Sequence, residues 1–430
     1  MARRSNVEER LLEKASRYLP GGTGGNLSLP KELDFLVSHG KGSKIFDVSG
    51  NEYVDWLMGS GPMVLGHAHP AVTEAVIKAV EGGSTFFATN DKAVELAEAL
   101  VNAVPCAEQG RLTTSGTDAC LQARRAARAL TGKEKILKFE GGFHGTSDYA
   151  LMSLTPSPSV EYPQAQASSG GIPKAIQELM LIAPYNDLAT TETIINAHLD
   201  DIAAVIVEPV QRVISPKPGF LQGLRDLTKK HNIPLIFDEV VTGFRVAYGG
   251  AQELFGVTPD MCTVGKIMGG GYPLAAVLGR ADILSVYDRG ASDQETYVNQ
   301  IGTLNGNPVA CAAGLATLAV LREEGAYEKI NGVGAAIRSA LVDICNENGV
   351  PVQSCGEDAI FDVYFSEVPV SNYRDTLAAD SAMMTRFNTG LLERGILKGS
   401  QKYYPSIVHT GEDVEKTIQA IREVVPLLIG

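Results

Sequence analysis

Two apolar runs in this chain end in charges of opposite sign. Leu235, Ile236 and Phe237 lead straight into Asp238 and Glu239, and Met261 to Val264 lead into Gly265 and Lys266, with three glycines following at Gly269 to Gly271. A short apolar run bounded in this way reads as a buried strand. Ligands of open α/β sheets collect at the carboxyl ends of strands, so Asp238 and Lys266 could face one crevice from two strands. The same two charges would equally serve as a plain salt bridge or as solvated loop starts. Beside a Gly-rich turn, an amine and an acid fit pyridoxal 5′-phosphate, whose aldehyde forms a Schiff base with the amine while the acid holds the pyridine nitrogen protonated.

The elements that must position these residues can be read from periodicity. From Arg111 onward strands and helices alternate, which predicts an α/β domain with a mostly parallel sheet. Strands are expected from Arg111, at Lys135–Phe139, Ala203–Val207, Pro234–Phe237, Met261–Val264 and Ala275–Leu278, and helices at Ala119–Leu130 and Phe220–His231. Between the first strand and its helix lies Ser115-Gly116-Thr117, where unpaired backbone N–H groups and small hydroxyls suit a phosphate. The same turn also serves as a capped helix start with no ligand. Ahead of this region come a helix over 5–18, a β-hairpin around Ser49-Gly50-Asn51, and helices over 70–80 and 92–104. The stretch 146–173, rich in Ser, Pro, Gln and Gly, reads as a lid or a disordered loop. A long helix after Asn307 leads into a final α+β lobe. Three segments result: 1–55 and 321–430 as parts of a smaller discontinuous α+β domain, and 56–320 as the large domain.

Composition narrows the function. The 430 residues carry a formal net charge of −13, which argues against binding nucleic acid or an anionic membrane surface. No apolar run reaches bilayer-spanning length, and the charged amphipathic start is unlike a signal peptide, so a cytoplasmic protein is expected. Six cysteines without CxxC spacing read as buried thiols, and His67 and His69, the only close histidine pair, read as loop packing before Pro70; no metal site is expected.

Six separated motifs then carry a resemblance: Ser115-Gly-Thr-Asp-Ala-Cys, Phe143-His-Gly, Glu208-Pro, Phe237-Asp-Glu-Val-Val-Thr-Gly-Phe-Arg245, Gly265-Lys-Ile-Met-Gly-Gly-Gly and Gly302-Thr-Leu-Asn-Gly-Asn-Pro308. In this order they resemble the class III aminotransferases, over nearly the whole chain, and most closely the branch of glutamate-1-semialdehyde 2,1-aminomutase. The resemblance implies a fold-type I transferase that uses pyridoxal 5′-phosphate. It makes Lys266 the Schiff-base lysine and Asp238 the partner of the pyridinium nitrogen. Phe143 and Val240 become the two faces against the ring, and Ser115, Gly116 and Thr117 the phosphate cup. His144 and Glu208 line the site. Thr303 reaches the phosphate from the neighbouring subunit, which makes the enzyme a homodimer.

Departures from the branch fall on substrate positions. Its aminomutases carry an arginine where this chain reads Thr23-Gly-Gly-Asn-Leu-Ser28, a tryptophan where it has Ser60, and a glutamate where it reads Ser400-Gln-Lys-Tyr-Tyr404. With the cofactor motifs intact, the expected activity is an aminotransferase working by ping-pong half-reactions between an amine or amino-acid donor and an oxo acid or aldehyde. The alternatives are the intramolecular aminomutase, a racemase on the same scaffold, and a binding protein without catalysis. Arg212 is a candidate for gripping a substrate carboxylate through two parallel hydrogen bonds, and a solvated surface arginine reads equally well there.

Overall fold

In the computed structural model, which describes residues 4–25, 29, 33–400 and 402–429, the chain divides into two compact units. One comprises Met1–Pro70, Glu324–Pro369 and Ala378–Gly430, the other Ala71–Glu323 and Val370–Leu377. The first unit opens with a helix, Asn6–Tyr18, whose first turn is capped by the Ser5 hydroxyl accepting from Glu8 N–H. Strands β1 (Val37–Lys41), β2 (Lys44–Asp47) and β3 (Glu52–Asp55) follow as an antiparallel meander. The turn between β2 and β3 needs Gly50, at φ +87°, and the Asp47 carboxylate accepts from Asn51 N–H across it.

The second unit holds seven strands: β4 (Gln109–Thr113), β5 (Lys135–Phe139), β6 (Met180–Ala183), β7 (Ile202–Val207), β8 (Leu235–Glu239), β9 (Met261–Val264) and β10 (Ala275–Gly279). Their order in the sheet is β4-β10-β9-β8-β7-β5-β6. Neighbours from β9 to β6 pair in parallel, and β10 alone runs against β9 and β4, so this is the mostly parallel sheet the alternation predicted. Every residue of β7, Ile-Ala-Ala-Val-Ile-Val, is buried. A continuous apolar run of this kind marks a strand covered on both faces. The edge strand β6 was not legible, because its four apolar residues lie directly behind the short helix Lys174–Glu178 with no turn residue ahead of them to set them apart.

One covering helix, Gly116–Thr131, buries Ala119, Ala123, Ala126 and Ala127 and stops at Gly132, φ +68°. Alanines on the buried face let it lie close on the sheet, within one core with Ile136, Ile206, Ile236 and Val277. Another, Phe220–Lys230, buries Phe220, Leu221, Leu224 and Leu227 and ends on Lys229 and Lys230, where cations favour the helix dipole. Truncating the fully buried Leu224 to alanine would cost about 2–5 kcal/mol. The stretch 146–173 forms no long element, yet Met152 and Ser153 are buried in it and Ser153 N–H donates to Gln166 O at 2.6 Å.

The chain returns to the first unit with the helix Ala326–Glu347, strands β11 (Gln353–Glu357) and β12 (Ile360–Tyr364), the helix Ser381–Glu393, strand β13 (Ile396–Leu397) and the helix Gly411–Val424. Strand β13 pairs in parallel with β3 and completes a four-stranded sheet. Residues just after β3 pack on this lobe. Trp56 stacks on His409 at 3.9 Å and donates its Nε1–H to Thr417 Oγ1, and the Tyr404 ring stands 2.8 Å from where a Cβ on Gly61 would lie. The first unit takes in these residues as far as Pro70 and resumes at Glu324. Among the described residues no helix is long and apolar enough to cross a membrane.

Candidate active site

The parallel strands deliver their last residues to one end of the sheet, and there the sequence candidates meet. Asp238, the fourth residue of β8, is buried. Its Oδ2 accepts from His144 Nδ1 at 2.7 Å and from Cys120 Sγ at 3.2 Å. Its Oδ1 accepts from Val240 N–H and from Thr263 Oγ1, each at 3.1 Å. Burial pushes the carboxyl up, but the His144 hydrogen bond and charge, with the Val240 and Cys120 donors, hold it below the usual carboxylate range. An ionised carboxylate only accepts, so Nδ1 is the protonated nitrogen of His144. Glu239, one residue on, points away. It accepts from Ala251 N–H, Gln252 and Thr242 Oγ1, and burial pushes its carboxyl up, so it anchors the helix Gly250–Phe255.

Lys266 follows β9 directly, half-buried and in the left-handed region at φ +46°. A non-glycine residue there costs about 1–2 kcal/mol, and such strain concentrates where a side chain has to be aimed. Val240 joins the neighbouring turns. A Cβ on Gly116 would stand 2.8 Å from its Cγ1, and one on Gly265 would stand 3.4 Å away, so the backbone after β4 and the backbone before Lys266 close on one valine. Ser115 caps the helix Gly116–Thr131 by accepting from Asp118 N–H. Thr117 Oγ1 accepts from Thr146 N–H, and Gly145, at φ +90°, leaves room for that threonine.

Phe143 lies on the loop after β5 and is 40% exposed, and its N–H donates to Glu208 Oε2 at 2.8 Å. The Arg212 guanidinium lies 5.7 Å from the centre of that ring. A tight turn, in which Gln211 and Ile214 exchange backbone hydrogen bonds, puts Arg212 at φ +62°. The loop is tied down from below. Lys138 Nζ donates to the carbonyls of Gly142, Ala150 and Met152, and burial pushes this lysine down to about 7. Glu140 accepts two bonds from Arg374 and one from the Tyr162 hydroxyl.

The structure thus brings together Ser115, Gly116, Thr117, Phe143, His144, Glu208, Arg212, Asp238, Val240 and Lys266. Thr303 takes no part in these contacts. It stands on an exposed turn before the helix Pro308–Leu321. Ser60 belongs to the other unit, on an exposed turn at φ +67°. Of the altered substrate stretches, residues 26–28 and Gln401 lie outside the described residues. His67 donates to or accepts from Asp55 Oδ2 at 2.7 Å, and among the described residues no three His, Cys, Asp or Glu side chains gather as metal ligands. Sequence reasoning missed Cys120 and Thr263. Asp238 and Thr263 are direct partners in the β8–β9 register and so share a face of the sheet, a relation that only the strand pairing reveals.

Known proteins resemble the chain along its whole length. A family model described as Aminotransferase class-III matches residues 29–425. A curated relative, glutamate-1-semialdehyde 2,1-aminomutase 2 of Brevibacillus brevis, is 39% identical over 96% of this chain and 96% of its own. The crystal structure of an omega-transaminase from Sphaerobacter thermophilus superposes with a TM-score of 0.94 at 33% identity, covering 99% of this chain and 98% of that one. A transaminase with PLP bound superposes with a TM-score of 0.90 at 29% identity, covering 100% and 99%.

Proposed function

Since the chain belongs to the class III aminotransferase family, we propose that it moves an amino group from an amine or amino-acid donor to an oxo acid or aldehyde with Lys266 and Asp238 at the reacting centre. The enzyme depends on pyridoxal 5′-phosphate, as this family does. The observation that carries the assignment of residues is the Asp238 carboxylate: buried, held ionised, and on the strand next to the one that ends at Lys266.

The residues fit the cofactor in three respects. The helix Gly116–Thr131 starts at Gly116, where Val240 leaves no space for a Cβ, and its first N–H groups with Ser115 and Thr117 suit a phosphate. Asp238 offers a negative charge to a protonated ring nitrogen. Lys266 offers an amine. When bound, the cofactor supplies an aldehyde that condenses with amines and a cationic ring that withdraws electrons from the substrate's Cα. Asp238 keeps that ring cationic, and Lys266 Nζ carries the proton to and from the carbon. Phe143 and Val240 would hold the ring from its two sides, and His144 and Glu208 hold Asp238 and Phe143 in place. Arg212, drawn to the Phe143 ring, recognises a substrate carboxylate; KM values for carboxylate substrates that stay the same in Arg212→Ala would dispose of this role.

The enzyme is a homodimer in which Thr303 serves the partner's phosphate. Support comes from the surface around it. Exposed Phe86, Phe87, Ile301 and Leu304 lie on two segments joined by Asn90 donating to Gly306 O and Asn307 donating to Ser84 O. Contiguous exposed apolar side chains of this sort mark association surfaces. Phe87→Asp should yield a monomer in sedimentation, and a dimer that persists would argue against this face. Six buried free thiols support a reducing cytoplasmic setting.

Incubation with an amine donor alone, without acceptor, tests the reaction: the cofactor's absorbance should pass to that of the pyridoxamine form. The aminomutase reading has its support in the Brevibacillus brevis relative. It predicts turnover of glutamate 1-semialdehyde with no second substrate, and that assay separates the two.

A further inference from the structure

The Asp238 carboxylate has four donors from the chain, and about four lone-pair positions are all that a carboxylate offers. Val240 N–H and Thr263 Oγ1 take Oδ1, while His144 Nδ1 and Cys120 Sγ take Oδ2. Asp238 read as the partner of a protonated pyridine nitrogen must accept a fifth donor, and one of the four has to give way. This inference rests on that reading.

The four are not equally able to do so. The Val240 N–H is backbone and fixed. The His144 bond, at 2.7 Å, is charge-assisted and the strongest of the set. Thr263 lies on the paired strand and donates to the other oxygen. The thiol is the weakest donor by type, and it has a second acceptor at hand, since Cys120 Sγ stands 3.4 Å from Thr263 Oγ1. A threonine hydroxyl donates one bond and still accepts, so Thr263 can receive the S–H while continuing to hold Oδ1. Cys120 is 1% exposed, and burial pushes its thiol well up, so it carries its proton at neutral pH.

We propose that Cys120 is a positioning residue whose S–H fills a lone pair of Asp238 Oδ2 until the pyridine N–H arrives, then turns onto Thr263 Oγ1. Only a proton rotates about the Cβ–Sγ bond, and both sulfur distances are already within hydrogen-bonding range. The carboxylate keeps its four partners throughout. The cofactor therefore meets an acceptor that is already oriented and ionised, and only the weakest of its bonds has to be exchanged.

The full-length protein, stripped of cofactor and reloaded, tests this by infrared spectroscopy of the S–H stretch. Subtracting the spectrum of Cys120→Ala identifies the band of Cys120 among the six thiols, and Cys120→Ser serves the same purpose if the alanine variant folds poorly. The band should lie low against the carboxylate and rise when pyridoxal 5′-phosphate is added. It should stay where it is with 1-deazapyridoxal phosphate, which has no ring nitrogen. Cys120→Ala should also bind pyridoxal 5′-phosphate about threefold more tightly, since nothing has to be displaced, and the deaza analogue unchanged. If the wild-type protein prefers pyridoxal 5′-phosphate over the deaza analogue while the band stays still, Asp238 keeps its role and the exchange at Cys120 is wrong. If the wild-type protein has no such preference, the reading of Asp238 fails and this inference with it.

Discussion

Two aspartates at opposite ends of the same sheet show how a buried carboxylate can serve different ends. Asp260 stands at the amino end of β9, where it accepts from Arg225 at 2.7 Å, from Arg280 at 3.1 Å and from Leu235 N–H. Asp238 stands at the carboxyl end of β8 among a histidine, a thiol, a hydroxyl and an amide. Two guanidinium groups neutralise the charge of Asp260, which then only pins strands together. Among the described residues no lysine or arginine is hydrogen-bonded to Asp238, whose partners are His144, Cys120, Thr263 and Val240, which leaves its charge available to the cation proposed above. A cleft of about 620 Å³ lies at the amino end, lined by Arg225, Asp260 and Arg280 among others, and there both guanidinium groups are already committed to the Asp260 carboxylate. The tendency of parallel sheets to bind ligands at their carboxyl ends is the reason we propose the site at the other.

Substitution of each aspartate should separate the two roles. Asp238→Asn should lower kcat on the order of 10³-fold, because a neutral amide cannot hold the ring cationic, with the melting temperature at neutral pH much less affected. Asp260→Asn should reverse the pattern: about 1–2 kcal/mol of stability lost, since two arginines lose their counter-charge at a partly solvated site, and kcat within roughly twofold of the wild type. Steady-state kinetics beside denaturant melts would check both, and equal kinetic damage from the two variants would erase the distinction.

Acid titration sharpens the comparison at lower amplitude. The folded Asp238 carboxyl is held below its ordinary value, so as pH falls below about 4 the unfolded chain takes up the proton first and the native state loses stability. Asp238→Asn should flatten that acid limb. Lys138 works in the alkaline direction. Its folded value of about 7 lies below that of an unfolded lysine, so between about 7 and 10 the unfolded chain binds the extra proton and native stability rises with pH. Lys138→Met should remove this rise, measured as melting temperature against pH. The same variant frees the carbonyls of Gly142, Ala150 and Met152, which should loosen the Phe143 loop.

The legibility of the site in the sequence follows the same physics. Asp238 and Lys266 could be read because each ends an apolar run with a charge, a local pattern. Ser115-Gly116-Thr117 could be read because a helix cap is local too. Cys120 and Thr263 were beyond such reading, since their contact with Asp238 depends on the register of β8 with β9 and on where a helix of alanines settles against the sheet. The same holds for Lys138, whose three carbonyl partners come from a loop with no periodicity. In the fold, the long central strands were evident from their apolar runs. The two-residue β13 and the packing of residues 56–70 beside Trp56 and His409 rest on contacts hundreds of residues apart.

The central claim is that the reacting amine is Lys266, beside Asp238. Borohydride reduction of the loaded enzyme, followed by peptide mapping, tests it most directly. The account predicts a pyridoxyl mass on the peptide holding Lys266 and on no other lysine; a label at Lys229 or Lys138, or none at all, would contradict it.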